Sequence, residues 1–167
     1  MRILLIAILA FTMIPAFAQG KYEKDVASTD AIISALYGVI SGDPGQARDW
    51  ERFKYLFKPE ARLIPTRKSK TGELTLQALT PLEYVELFSS RVSTGFFEKE
   101  LHRTTETYGT VTHIFSTYET KEKTDGPVTN RGINSIQLFF DGQRYYIVNI
   151  FWCAESMGYP LPEKYLK

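Results

Sequence analysis

From Ser28 onward the apolar positions take helical spacing: Ile32, Ile33, Leu36, Tyr37 and Ile40 recur on one face of a 3.6-residue repeat. Ser28, Thr29 or Asp30 can cap this helix, and Gly42 followed by Asp43-Pro44-Gly45 stops it. A second helix is predicted from Asp49, a good N-cap, with Trp50, Phe53, Leu56 and Phe57 as its apolar stripe and Pro59 as its end. Thr80-Pro81-Leu82-Glu83 is a capping box with proline at the first helical position. It opens a third helix carrying Leu82, Val85, Leu87, Phe88 and Val92 to about Ser93, closed by Gly95.

Between the second and third helices, residues 61–66 read as a short strand, 67–72 as a turn and 73–78 as a returning strand. After the third helix the period changes to two, and four strands follow near residues 96–108, 111–122, 129–140 and 144–153. Tyr108-Gly109 marks a tight turn or a bulge. Asp141-Gly142, between two strongly apolar runs, is a hairpin signal of the type I′ kind, which needs positive φ. Helices gathered beside a long sheet make an α+β layout. The expected architecture is a strongly bent antiparallel sheet wrapped around three helices, a cone with an internal pocket and an open mouth.

The ends change the picture. Met1-Arg2 gives a positive start, Ile3 to Phe17 is apolar apart from Thr12, and Ala16-Phe17-Ala18 has the small-x-small pattern of a cleavage site. Residues 1–18 are therefore predicted as a signal peptide, cut before Gln19. The apolar run falls short of the roughly 20 residues that span a bilayer, so no stable membrane anchor is expected after cleavage. Residues 19–27 read as a flexible, charged lead-in and residues 28–167 as a single domain. The predicted location is periplasmic or secreted.

Charge removes further classes. The chain carries 20 Lys and Arg against 19 Asp and Glu, a net charge of +1 that falls to about zero once Arg2 is lost, so no nucleic-acid partner is expected. Cys153 is the single cysteine and lies in an aromatic strand, Ile150-Phe151-Trp152-Cys153, which reads as a buried, inert thiol.

Several stretches carry a resemblance: Arg48-Asp49-Trp50-Glu51-Arg52-Phe53, His113-Ile114-Phe115-Ser116-Thr117-Tyr118-Glu119, the run from Arg131-Gly132-Ile133-Asn134 to Leu138, and Asp141-Gly142-Gln143-Arg144 with the strand after it. In this element order, the chain resembles the nuclear transport factor 2-like superfamily, the SnoaL-like and ketosteroid-isomerase-like cone folds, and within it exported bacterial members. The resemblance covers nearly all of residues 28–167. It implies the fold; the superfamily spans isomerases, dehydratases, cyclases and non-catalytic binders, so it does not choose an activity.

Isomerase-like chemistry would need a carboxylate base on the strand after helix two, and Ala61-Arg62-Leu63-Ile64-Pro65-Thr66 has none. Dehydratase-like chemistry would use a pocket histidine as acid and base, with His102, His113 and Asn134 as catalytic candidates beside Tyr37 or Tyr118. If strands pair about a centre between residues 108 and 109, His102 faces Phe115, Thr104 faces His113, and the two histidines share a face; a bulge at Gly109 would separate them. Asn134 shares its face with Gly132, Ile136 and Leu138. Trp50, Phe53, Phe57, Phe88, Tyr118, Asn134 and Trp152 are the expected ligand-binding wall. There is no G-x-S-x-G motif, no recognised metal spacing and no glycine-rich phosphate loop, so neither metal nor cofactor is predicted. The leading expectation is an exported binder of a small apolar molecule. The alternatives are a dehydratase- or cyclase-like enzyme and a dimerising module with a filled cavity. A homodimer is expected in any case, because the last three strands are apolar on both faces and helices can cover only one.

Overall fold

A computed structural model describes residues 20–167; the predicted signal peptide and its cleavage site lie outside the described residues. Three α-helices and six strands make an α+β fold in which helices fill the hollow of one bent, open sheet.

Helix α1, Thr29–Ile40, starts where the Ser28 hydroxyl accepts a hydrogen bond from the Ala31 amide at 3.1 Å, and it buries Ile32, Ile33, Leu36, Tyr37 and Ile40. Helix α2, Trp50–Tyr55, is capped by Asp49, which accepts from the Arg52 amide at 2.9 Å. It is shorter than its apolar stripe suggested. Phe57 belongs to the next element, strand β1, Phe57–Lys68, and so does Pro59. The proline sits where the pairing of β1 with its neighbour slips between Phe57 and Arg62, an irregularity that tolerates a residue without an N–H. Strand β2, Leu74–Leu76, pairs back on β1, and helix α3, Pro81–Arg91, opens with the reciprocal Thr80–Glu83 capping box.

Strands β3, Phe97–Tyr108, β4, Val111–Lys121, β5, Val128–Phe140, and β6, Tyr145–Ala154, form an antiparallel meander. The full order is β2-β1-β6-β5-β4-β3. One pairing departs from the expected antiparallel sheet: β1 runs parallel to β6. The chain between them is long enough, through α3 and three strands, to return in the same direction. Gly109-Thr110 makes the β3–β4 turn, with Gly109 at φ +58. The β5–β6 hairpin differs from a type I′ turn: only Gly142 has positive φ, and the Asp141 carboxylate accepts from the Gln143 and Arg144 amides, both at 2.9 Å, to close a four-residue loop.

Alternation along β4 and β5 turns Thr112, Ile114, Ser116, Tyr118, Asn134, Ile136 and Leu138 inward, onto the helices. Strand β3 does not alternate regularly. Glu98 and Glu100 oppose Thr120 and Tyr118, but Leu101 is an extra residue, so beyond it Arg103 opposes Ser116 and His102 opposes Thr117. The stretch expected as a flexible lead-in carries a 3-10 helix, Glu23–Val26, with Val26 buried and Asp25 held by both Arg52 nitrogens at 2.7 and 2.8 Å. At the other end, residues 158–165 cross the outer face of the sheet, where Tyr165 packs edge-on against Phe115 with ring centroids 5.2 Å apart.

Candidate functional site

The helices do not fill the hollow completely. A cavity of about 260 Å³ remains between them and the sheet. Helix α1 lines it with Leu36 and Ile40, α2 with Phe53, and α3 with Tyr84 and Phe88. The sheet contributes Leu63, Ile150 and Trp152 as apolar wall, and Glu98, Tyr118, Thr120 and Asn134 as polar groups. The aromatic wall is a contact series: Tyr84 stacks on Phe53 at 5.4 Å, and Trp152 meets Tyr84 edge-on at 6.4 Å.

Of the residues expected on the wall, Phe53, Phe88, Tyr118, Asn134 and Trp152 line this cavity. Trp50 stands behind it, edge-on to Phe53 at 5.8 Å and to Phe88 at 5.5 Å, and borders a separate surface depression with Arg48. Phe57 is core, 4.7 Å from the Phe53 ring, and does not reach the cavity.

The histidines lie elsewhere. The β3–β4 ladder is centred between Gly109 and Thr110, so His102 opposes Thr117 and His113 opposes Glu106. They share a face, and it is the outer one. His113 is exposed and meets the Ser135 hydroxyl at 2.9 Å. With both imidazoles on the side away from the cavity, acid–base chemistry by His102 or His113 on a molecule held there lacks the hydrogen-bond reach it needs.

The polar end of the cavity is built on a hydrogen-bond chain whose direction can be read from proton count. Ser116 donates its one hydroxyl proton to Glu100 at 2.6 Å. Tyr37, 2.7 Å from the Ser116 oxygen, must therefore be the donor to it. With its own proton spent, the Tyr37 oxygen accepts from the Asn134 Nδ2 at 3.0 Å, which fixes the orientation of that amide. Glu100 is anchored by Arg103 at 2.8 Å, and Arg103 also reaches Asp30 at 2.8 Å. Burial, reinforced by the Glu98 charge, holds the Tyr37 phenol well above its ordinary pKa, against the opposing hydrogen bonds of Ser116 and Asn134.

Glu98 is the group that reasoning from the sequence missed. Its backbone is fixed by Ser41, whose hydroxyl accepts from the Glu98 amide at 2.9 Å and has the Tyr37 carbonyl at 2.8 Å and the Glu98 carbonyl at 3.2 Å as acceptors for its one proton. Its side chain contributes to the cavity surface. Burial pushes its carboxyl up to about 8, with the Asn134 amide opposing, so at neutral pH it is mainly protonated. No Lys, Arg or His is among the lining residues. Period-two alternation from Phe96 was the available signal: an acid two residues after an inward aromatic shares its face. Among the described residues no cluster of three or more His, Cys, Asp or Glu is placed to hold a metal ion, and no helix is long and apolar enough to cross a membrane.

Comparison with known protein families and with curated proteins found no match. Solved structures do match. A nuclear transport factor 2-like protein of unknown function from Silicibacter pomeroyi aligns over 75% of this chain and 91% of its own, with a TM-score of 0.50 and 12% identity. This chain has the nuclear transport factor 2-like fold. LinA shares it over 75% of this chain and 84% of its own, at a TM-score of 0.54 and 9% identity. So does the yeast Ubp3-associated protein Bre5, over 75% and 92%, at 0.53 and 16%. At such identities the likeness concerns the nuclear transport factor 2-like cone itself; the chemistry rests on this chain's own side chains.

Proposed function

We propose that this protein binds a small, largely apolar molecule inside the cone. The observation that carries the reading is the cavity of about 260 Å³, with aromatic and aliphatic walls and a few convergent polar groups at one end, the usual composition of a ligand site. An unfilled hollow argues against a purely structural module. The outward histidines argue against a dehydratase- or cyclase-like reaction that would use them. Calorimetric titration with a compact neutral probe, 2-phenylethanol, tests the reading: saturable one-to-one binding is expected, and Val92→Trp, which narrows the cavity from the end of α3, should weaken it at least tenfold. Absence of saturable binding in the unsubstituted protein by this probe and by its charged analogues alike counts against it.

Export and pairing belong to the same proposal. The positive start, apolar run and small-x-small pattern of residues 1–18 support delivery to the periplasm or the medium, and N-terminal sequencing of the recovered protein should begin at Gln19. Apolar side chains left on the outer face of the sheet, Phe151 at 40% exposure among them, support a homodimer, which light scattering at micromolar concentration would detect.

A further inference from the structure

Every ionisable group on the cavity surface is an acid. Glu98 is the only lining residue with an ionisable acid or base group apart from two phenols, Tyr84 and Tyr118. Asn130 and Asn134 add neutral amide groups, and Phe88, Phe96 and Trp152 give it an aromatic wall. No cation answers Glu98 from within. Arg103, two inward positions further along β3, is committed to Glu100 and Asp30. A carboxyl group enclosed this way must keep its proton or find a positive partner in whatever enters.

Resting on the ligand-binding reading above, we propose that the cavity takes an organic cation: an amine on a compact hydrophobic body, its ammonium paired with Glu98 and its body against the aromatic wall. An ammonium supplies the missing counter-charge and gains from the ring faces, while an anionic ligand of the same shape meets repulsion. The proton balance is fixed. Below the Glu98 pKa the free carboxyl is protonated and the free amine is charged, so forming the carboxylate–ammonium pair releases one proton to the buffer. Groups facing Glu98 do not blur this. From α1, α3 and β4 come the phenols of Tyr37, Tyr84 and Tyr118, all pushed well above the ordinary phenol range by burial. From β5 come only the Asn130 and Asn134 amides, from β6 Trp152, and on β3 itself Glu100 is paired with Arg103.

The test is titration calorimetry of the full protein with 2-phenylethylamine, 2-phenylethanol and 3-phenylpropanoate. The amine should bind at least tenfold more tightly than the alcohol at pH 8, and the propanoate not at all. Amine affinity should rise about tenfold per pH unit between about pH 6 and pH 8 and level off above, with close to one proton released at the acid end. Glu98→Gln should abolish both the pH dependence and the preference for amine over alcohol. If that variant does not fold, the pH dependence and proton count in the unsubstituted protein decide alone. Equal affinity for amine and alcohol, a flat pH profile, or preferred binding of the propanoate overturns the cation assignment and leaves small-molecule binding standing. Failure of all three probes to bind overturns both.

Discussion

Tyr37 holds the floor of the cone. It is 4% exposed, accepts from Asn134 and donates to Ser116. Tyr37→Phe would leave a buried amide and a buried hydroxyl each one partner short, at a cost of about 1–3 kcal/mol, measurable as a lower urea midpoint with unchanged slope. Glu98 acts in the opposite sense. Its folded pKa of about 8 exceeds the ordinary 4.5, so the folded state holds a proton that the unfolded chain releases between those values. The contribution is therefore fully present below about pH 4.5, fades as pH rises towards about 8, and is gone above it. Glu98→Gln cannot ionise. Its melting temperature should fall less than that of the unsubstituted protein over this interval, and at pH 8 it should be the more stable of the two. Parallel melting curves at both ends of the range would contradict the buried-acid assignment.

At the scale of elements, single residues set where strands can lie. Gly132 on β5 is one: a Cβ there would stand 2.5 Å from both the Tyr118 hydroxyl oxygen and the Cys153 carbonyl. Gly132→Ala should cost about 1–3 kcal/mol by overpacking and displace Tyr118 from the cavity wall, seen as reduced near-ultraviolet dichroism and a lower midpoint. Much of this level is legible in the sequence. The Ser28 cap, the Thr80 capping box and the inward set Asn134, Ile136 and Leu138 follow from spacing alone. The end of α2 does not, because Leu56 and Phe57 continue a helical stripe and the choice of strand at Phe57 is made by pairing with Ile147. The Leu101 bulge does not either. A bulge is a contest between register at the hairpin and register at Ser41 and Gly42, where β3 begins, and both ends are distant in sequence. That unseen residue lets Glu98 and Arg103 both face inward and sends His102 out, so the acidic half of the site stayed hidden while the aromatic half, read from Phe53, Phe88 and Trp152, did not.

For the molecule as a whole, part of the outer face of the sheet has a cover of its own, while Phe151 stays exposed. The C-terminal tail packs on Phe115 through Tyr165 and encloses a cavity of about 400 Å³ beside Ile133 and Phe151, pinned where the Leu161 amide donates to Glu155, itself paired with Arg131. Removing residues 158–167 should uncover that strip, and light scattering should then show association at concentrations where the full chain does not go beyond its resting state. A truncated protein that scatters like the intact one would mean that the strip is not adhesive. The position of β6 has a different consequence. Among the described residues it is the last strand in sequence, yet it lies between β1 and β5 and is the one that joins them. Until the ribosome has released residue 154, the growing chain holds two separate half-sheets with bare facing edges, and no cooperative fold exists for it to reach. Such a polypeptide completes its sheet only once β6 is in place. If residues 1–18 act as the predicted leader, a chain still short of its sixth strand would reach a secretion channel able to be threaded.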